Sequence, residues 1–188
     1  MNEPKLYMLM LGCKPKGRFT EQHDVFFGIA RSLKELVPHL TNFWPEAKRS
    51  LHIDAWRQVT SIEGYSLTVV EKENVALESS VKKVFFLNLG GYKKNEFDEF
   101  HYKMLTVAEN SAAAIKKAKQ ESFYKHVGFK GASSHVDDKY GVDIDDAYAL
   151  DDILNSDFKN KFSIIISEVE KEADEIHLGY LQFWKIKN

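Results

Sequence analysis

The chain has only one cysteine, Cys13, among its 188 residues. No internal disulfide can brace it, and a solitary thiol fits a reducing compartment. It has no apolar run approaching the length that crosses a membrane. It also lacks a surplus of either charge: 26 Lys and Arg stand against 28 Asp and Glu, for a net charge of -2. That balance argues against a generic nucleic-acid binder, which carries a basic domain or stripe. Familiar nucleotide loops are missing as well. Gly12-Cys13-Lys14-Pro15-Lys16-Gly17-Arg18 holds three basic residues but matches neither the phosphate-loop nor the dinucleotide fingerprint. The acidic stretch from Asp137 to Asp152 lacks the glycine-centred pattern of a calcium loop and reads as a solvated face. Leu9-Met10-Leu11-Gly12-Cys13 has the outward form of a lipoprotein processing site, but the apolar stretch before Cys13 is short and barely basic at its start. A soluble cytoplasmic protein is expected.

What is present suffices for a core: 44% of residues are hydrophobic and 13% aromatic, enough for one ordinary domain or two small ones. The dominant feature is an internal repeat. At an offset of 78, Leu9, Leu11, Gly12, Phe19, Glu21, His23 and Ala30 meet Leu87, Leu89, Gly90, Phe97, Glu99, His101 and Ala108. At an offset of 83, His52, Asp54, Val59 and Tyr65 meet His135, Asp137, Val142 and Tyr148, which implies a five-residue insertion near Gly128 to Gly131.

Leu6 to Leu11 and Val84 to Leu89 read as strands buried on both faces, each entering a glycine loop. A helix is expected after each loop. Its apolar stripe is Phe26, Ile29, Ala30, Leu33, Leu36, Val37 and Leu40 in the first copy, with Pro38 ending or kinking it. In the second copy the stripe is Met104, Leu105, Ala108, Ile115, Ala118 and Phe123. Two strands follow, His52-x-Asp54 lying in the first of them and Tyr65 to Val70 forming the second. The fold class is therefore α/β (α+β): two tandem β-α-β-β units related by a pseudo-twofold, sharing one core or a continuous sheet. Residues 1–72 form the first repeat, 73–83 a charged connector, and 84–188 a second repeat with divergent C-terminal strands.

Glu21, His23, His52 and Asp54, with Glu99, His101, His135 and Asp137 as their twins, are the candidate metal or acid–base residues. Imidazole and carboxylate together suit zinc, iron or manganese. On a helix, Glu21 and His23 would point about 200° apart, so the Glu-x-His pairs read mainly as helix-start architecture. The His-x-Asp pairs are the better candidates, because residues two apart in a strand share a face. His52, Asp54, His135 and Asp137 are thus the catalytic candidates.

These motifs also carry a resemblance. Leu11-Gly12 to Glu21-x-His23-Asp24, His52-Ile53-Asp54 and Gly64-Tyr65 resemble the bacterial family called domain of unknown function 1543. The second copy, Asn88-Leu89-Gly90-Gly91-Tyr92 to Glu99-x-His101 and His135-Val136-Asp137-Asp138, is similar to it too. The resemblance spans about residues 6–155 and implies one or two such units, with no assigned activity. Tyr102 stands where the first copy has Asp24, so any role of that aspartate is not duplicated.

Two functions stay open at this level. The first is a non-catalytic module binding a small ligand or a protein partner between the repeats. The second is a metal-dependent hydrolase using the duplicated sets. A weaker third is an anion or nucleotide sensor built on the Gly12 to Arg18 loop ahead of a helix N-terminus. No cofactor is required by the sequence, although it admits a divalent metal. Self-association is expected, without nucleic acid or membrane.

Overall fold

A computed structural model describes residues 3–74, 81–92, 95–121 and 143–186. The chain divides into two compact units, Met1–Glu78 with Leu154–Asn188 and, between them in sequence, Ser79–Ile153.

The first unit opens with strands β1 (Lys5–Cys13) and β2 (Gln22–Ala30). A 3-10 helix at Leu33–Leu36, helix α1 (Val37–Phe43) and a 3-10 helix at Pro45–Ser50 lead to β3 (His52–Gln58). Then come β4 (Ser61–Ile62) and β5 (Tyr65–Glu71). The second unit holds β6 (Lys83–Tyr92), β7 (Glu99–Ala108), α2 (Ser111–Glu121), β8 (Asp143–Ala149) and α3 (Leu150–Ile153). The C-terminal segment contributes α4 (Ser156–Lys161), β9 (Phe162–Ser167) and β10 (His177–Leu181) to the first unit.

The class is α+β with antiparallel sheets, but the order within each unit differs from the sequence expectation. The segment after each glycine loop is a strand, so the order is β-β-α-β rather than β-α-β-β. β2 runs antiparallel to β1 in unbroken register from Lys5↔Ala30 to Cys13↔Gln22, and β7 pairs β6 from Lys83↔Ala108 to Tyr92↔Glu99. The physical reason lies in burial. Phe26, Phe27, Ile29 and Ala30 are all 6% exposed or less, so both faces of β2 are covered at its far end. Covering both faces removes the period of two that marks a half-buried strand, and the surviving apolar spacing imitates a helix. Pro38 likewise lies in the first turn of α1 instead of ending a helix, where its missing N–H costs nothing.

The described strands form three sheets, ordered β10-β3-β1-β2, β4-β5-β9 and β7-β6-β8, in place of one continuous sheet. Leu6, Leu9, Leu11, Leu36, Leu40 and Ile53 are fully buried in the first unit. Burying each such side chain contributes about 1.5–3 kcal/mol. In the second unit the small Ala114 and Ala118 let α2 settle onto Phe85, Leu87, Leu89 and Met104. β9 pairs with β5 and β10 with β3, while Asp174, between β9 and β10, accepts hydrogen bonds from Thr60 N (3.1 Å), Thr60 Oγ1 (2.7 Å) and Ser61 N (3.3 Å).

One irregularity positions the site. β3 pairs with β1 as Met10↔Ala55 and then Leu11↔Ile53, so Asp54 is an extra, bulged residue. β8 does the same on β6, with Asn88↔Asp146 followed by Leu89↔Ile144. Among the described residues no helix is long and apolar enough to cross a membrane.

Candidate functional site

Gly12 is the centre of the site, because it faces His23 on β2 and His52 on β3 in direct register. Paired residues on neighbouring strands project from the same face of a sheet. Two imidazoles therefore flank a position with no side chain. Glu21 lies two residues before His23, and Asp54 two residues after His52.

All four side chains come together. His52 Nε2 lies 3.0 Å from Glu21 Oε1 and 3.3 Å from Asp54 Oδ1. His23 Nε2 lies 3.3 Å from Asp54 Oδ2 and 3.8 Å from Glu21 Oε2. The Glu-x-His pair, expected to diverge on a helix, converges because a strand carries it. Histidines and carboxylates thus alternate around a closed ring of contacts.

His52 sets the electrostatics of the cluster. It is 3% exposed, and its Nδ1 lies 2.8 Å from the Ser50 carbonyl, which can only accept, so Nδ1 carries the proton. The Nε2 lone pair then points into the cluster toward two carboxylates. Nε2 and Asp54 Oδ2 are both buried without a hydrogen-bond partner. The oxygens are close enough to Nε2 but lie off the axis that a hydrogen bond needs. A Cβ on Gly12 would stand 2.2 Å from Asp54 Oδ2 and 2.6 Å from His52 Nε2, so the donor atoms occupy the space above this glycine. Among the described residues no group of three or more His, Cys, Asp or Glu side chains stands ready-made as a metal site.

Access is from the β2 side. The His23 and Glu21 side chains are 41% and 45% exposed, whereas that of Asp54 is 21% exposed. On the other side the Tyr180 ring, from β10, covers His52 with centroids 4.3 Å apart. Cys13 is fully buried beside Gly12, and burial first, then the charge of Glu21, push its thiol above the ordinary cysteine value.

The second unit repeats part of this arrangement. Glu99 Oε2 lies 3.8 Å from His101 Nε2, and Asn88 Nδ2 is 3.4 Å from His101 Nδ1. Gly90 faces His101 on β7 and Asp143 on β8. The register therefore puts Asp143, and not His135, at the position equivalent to His52. His135 and Asp137 lie outside the described residues.

Two participants escaped the sequence reading: Gly12 as the floor of the site and Tyr180 as its side wall. A glycine inside a strand marks a close approach, which was the available signal for the first. Nothing in sequence spacing could have linked Tyr180 to His52. The anion-site idea loses its basis, since the Gly12 to Arg18 loop leads into a strand and no helix N-terminus follows it.

Fold and cluster together define an antiparallel α+β protein with two histidines and two carboxylates on one sheet face. Residues 18–69, which include all four of these side chains, match the family model described as Domain of Unknown Function (DUF1543), the family that the motifs resemble. The chain is also similar to the crystal structure of a protein Il1583 from Idiomarina loihiensis, with a TM-score of 0.61 and 18% identity over 96% of this chain and 98% of that one. At that identity the likeness is one of fold. No curated protein matches the chain.

Proposed function

We propose that Glu21, His23, His52 and Asp54 form a divalent-metal centre of the hydrolytic type. The observation that carries this reading is the His52 Nε2 lone pair, nearly dry, confronting two carboxylate oxygens outside hydrogen-bond geometry. A divalent cation would offset the two carboxylate charges that the cluster brings together. His23, His52 and Asp54 would hold such a cation, which would supply Lewis acidity at this point. Shells with bonds of about 2.0–2.2 Å have ligand–ligand edges of roughly 3.0–3.6 Å. The two contacts among His23, His52 and Asp54, both 3.3 Å, fall in that range, so a shell would close with only small movements of side-chain ends.

Catalytic sites keep an open position, typically with three protein ligands. His23, His52 and Asp54 take the ligand role. Glu21, the most exposed of the four, with its oxygens 3.0 Å from His52 Nε2 and 3.8 Å from His23 Nε2, is the general base at the mouth. A bound metal supplies acidity to a coordinated water and polarises a carbonyl or phosphoryl oxygen. Glu21 would stand as the proton acceptor for a water so activated, and the Ser50 carbonyl holds the His52 ring in the tautomer that presents Nε2.

We also infer that the two units arose by duplication. The matched registers of β1 with β2 and β6 with β7 support it, as do the bulges at Asp54 and Asp145. The second unit carries Asp143 at the His52 position, so the metal reading is made for the first unit.

Protein purified without added metal should contain about one zinc, iron or manganese per chain. His52→Ala and Asp54→Asn should lose it with the fold intact by circular dichroism. Glu21→Gln should keep the metal and lose hydrolysis across a panel of esters and phosphoesters. Metal-free protein that gains no thermal stability from zinc, manganese or iron would defeat the reading.

A second reading, non-catalytic binding of a small ligand, rests on a separate polar cleft of about 510 Å³ in the first unit, lined in part by Arg31, Glu35, His39, Glu71, Phe158 and Lys161. It requires ligand binding that survives His52→Ala and is lost in His39→Ala.

A further inference from the structure

We propose that the ligand taken by this site is an amphipathic anion: an anionic, oxygen-bearing head group at the metal and an apolar body lying across the sheet behind it. This rests on the metal-site reading above. Sheet register gives the ligand's body its place. Met10 pairs with Val25 on β2 and with Ala55 on β3, and Ala55 pairs with Leu178 on β10. Directly paired residues share a face, and Met10 and Val25 each lie two residues from Gly12 and His23. An apolar row, Val25-Met10-Ala55-Leu178, therefore crosses all four strands on the same face as the donor atoms. It stands one step behind them, roughly 7 Å away.

This row is not core. Val25, Met10 and Ala55 are half-buried, and Leu178 is 80% exposed. The Tyr180 ring, itself 60% exposed, stands where the row and the donor set adjoin on β10. Partly exposed apolar side chains beside a polar cluster are poor solubility but good recognition chemistry.

Charge fixes the head group. Without a cation, Glu21 and Asp54 repel an anion. With a cation held by His23, His52 and Asp54, the same point attracts an anionic oxygen at the open coordination position. Binding should therefore need the metal and should strengthen with the length of the apolar body.

The test compares acetohydroxamate with octanohydroxamate, two chelators that differ only in their chains, on metal-loaded protein. The expected result is at least about tenfold tighter binding of the longer probe, the gain from two or three buried methylenes. Leu178→Ser, at an exposed position that leaves the fold alone, and Met10→Gln should flatten that difference. Neither should change metal content or acetohydroxamate affinity. Equal affinities of the two probes on metal-loaded wild type overturn the proposal while leaving the metal centre standing. A protein that takes up no metal removes both, and this is read from metal analysis before any probe is added.

Discussion

Replacing Gly12 by Ala separates the site from the fold more cleanly than removing any of its polar side chains. The new Cβ would meet Asp54 Oδ2 at 2.2 Å and His52 Nε2 at 2.6 Å, against ordinary contacts beginning at 3.4 Å. Those atoms must retreat by about 1.2 Å and 0.8 Å. Both are ends of side chains, and the fold can give way there. Stability should change little. Alanine in a strand gains roughly 0.5–1 kcal/mol over glycine, and loosening the bond from His52 to the Ser50 carbonyl costs about 0.5–1.5 kcal/mol. Metal binding should suffer far more, because ligand distances must hold within about 0.2 Å and even outer partners are worth about 10–100-fold in affinity. Thermal melts with and without zinc or manganese, together with a metal titration, measure both effects. The expected result is a melting temperature near wild type without metal, no metal-induced rise, and affinity lowered at least about 100-fold. Unchanged metal affinity in Gly12→Ala would refute the assignment of His52 and Asp54 as ligands.

Asp174→Ala should destabilise the first unit by about 1–3 kcal/mol in denaturant unfolding, since it strands Thr60 N and Ser61 N and removes the Thr60 hydroxyl's partner. A cycle with Thr60→Val should show coupling, and additive effects would count against a direct clamp. Cys13 provides a pH test. Its folded pKa is raised, by burial first and by Glu21 second, so the unfolded chain releases the thiol proton at lower pH than the folded one. The stability it contributes is complete below the unfolded value and declines as pH rises through that value toward the folded one. Wild type should lose more stability than Cys13→Ala between neutral and alkaline pH, and parallel curves would sink the assignment.

Much of the site was legible from composition and spacing alone. Glu21, His23, His52 and Asp54 stood out as a set, and the geometry brings all four together. Their mutual orientation was not legible, because it depended on the secondary structure of one segment. Read as a helix, Gln22 to Ala30 sends Glu21 and His23 apart; as a strand, it aims them at one point. Burial on both faces of β2 hid the strand. The residue facing Gly90 was not legible for a related reason. Matching letters favoured His135 as the counterpart of His52, whereas the hydrogen-bonded register sets Asp143 opposite Gly90. A register is chosen by which faces are buried and by turn lengths, and neither is written in a local motif.

The bulge at Asp54 explains why the cluster is as tight as it is. In a regular ladder, Gly12↔His52 would be followed two steps along by Met10↔Asp54, leaving the aspartate roughly 7 Å further down the strand. The extra residue gives that place to Ala55 and holds Asp54 back beside His52, where its Oδ2 overhangs Gly12. A bulge also removes one residue from the ladder, a cost that a purely structural sheet has no reason to bear twice. Here the same irregularity recurs between Asn88 and Leu89, in a unit whose side chain at the His52 position is different. Bulges tend to lie where a side chain must be re-aimed. The device therefore belongs to the backbone of both units, and the identity of the residue at position 52 or 143 decides what chemistry each one can support.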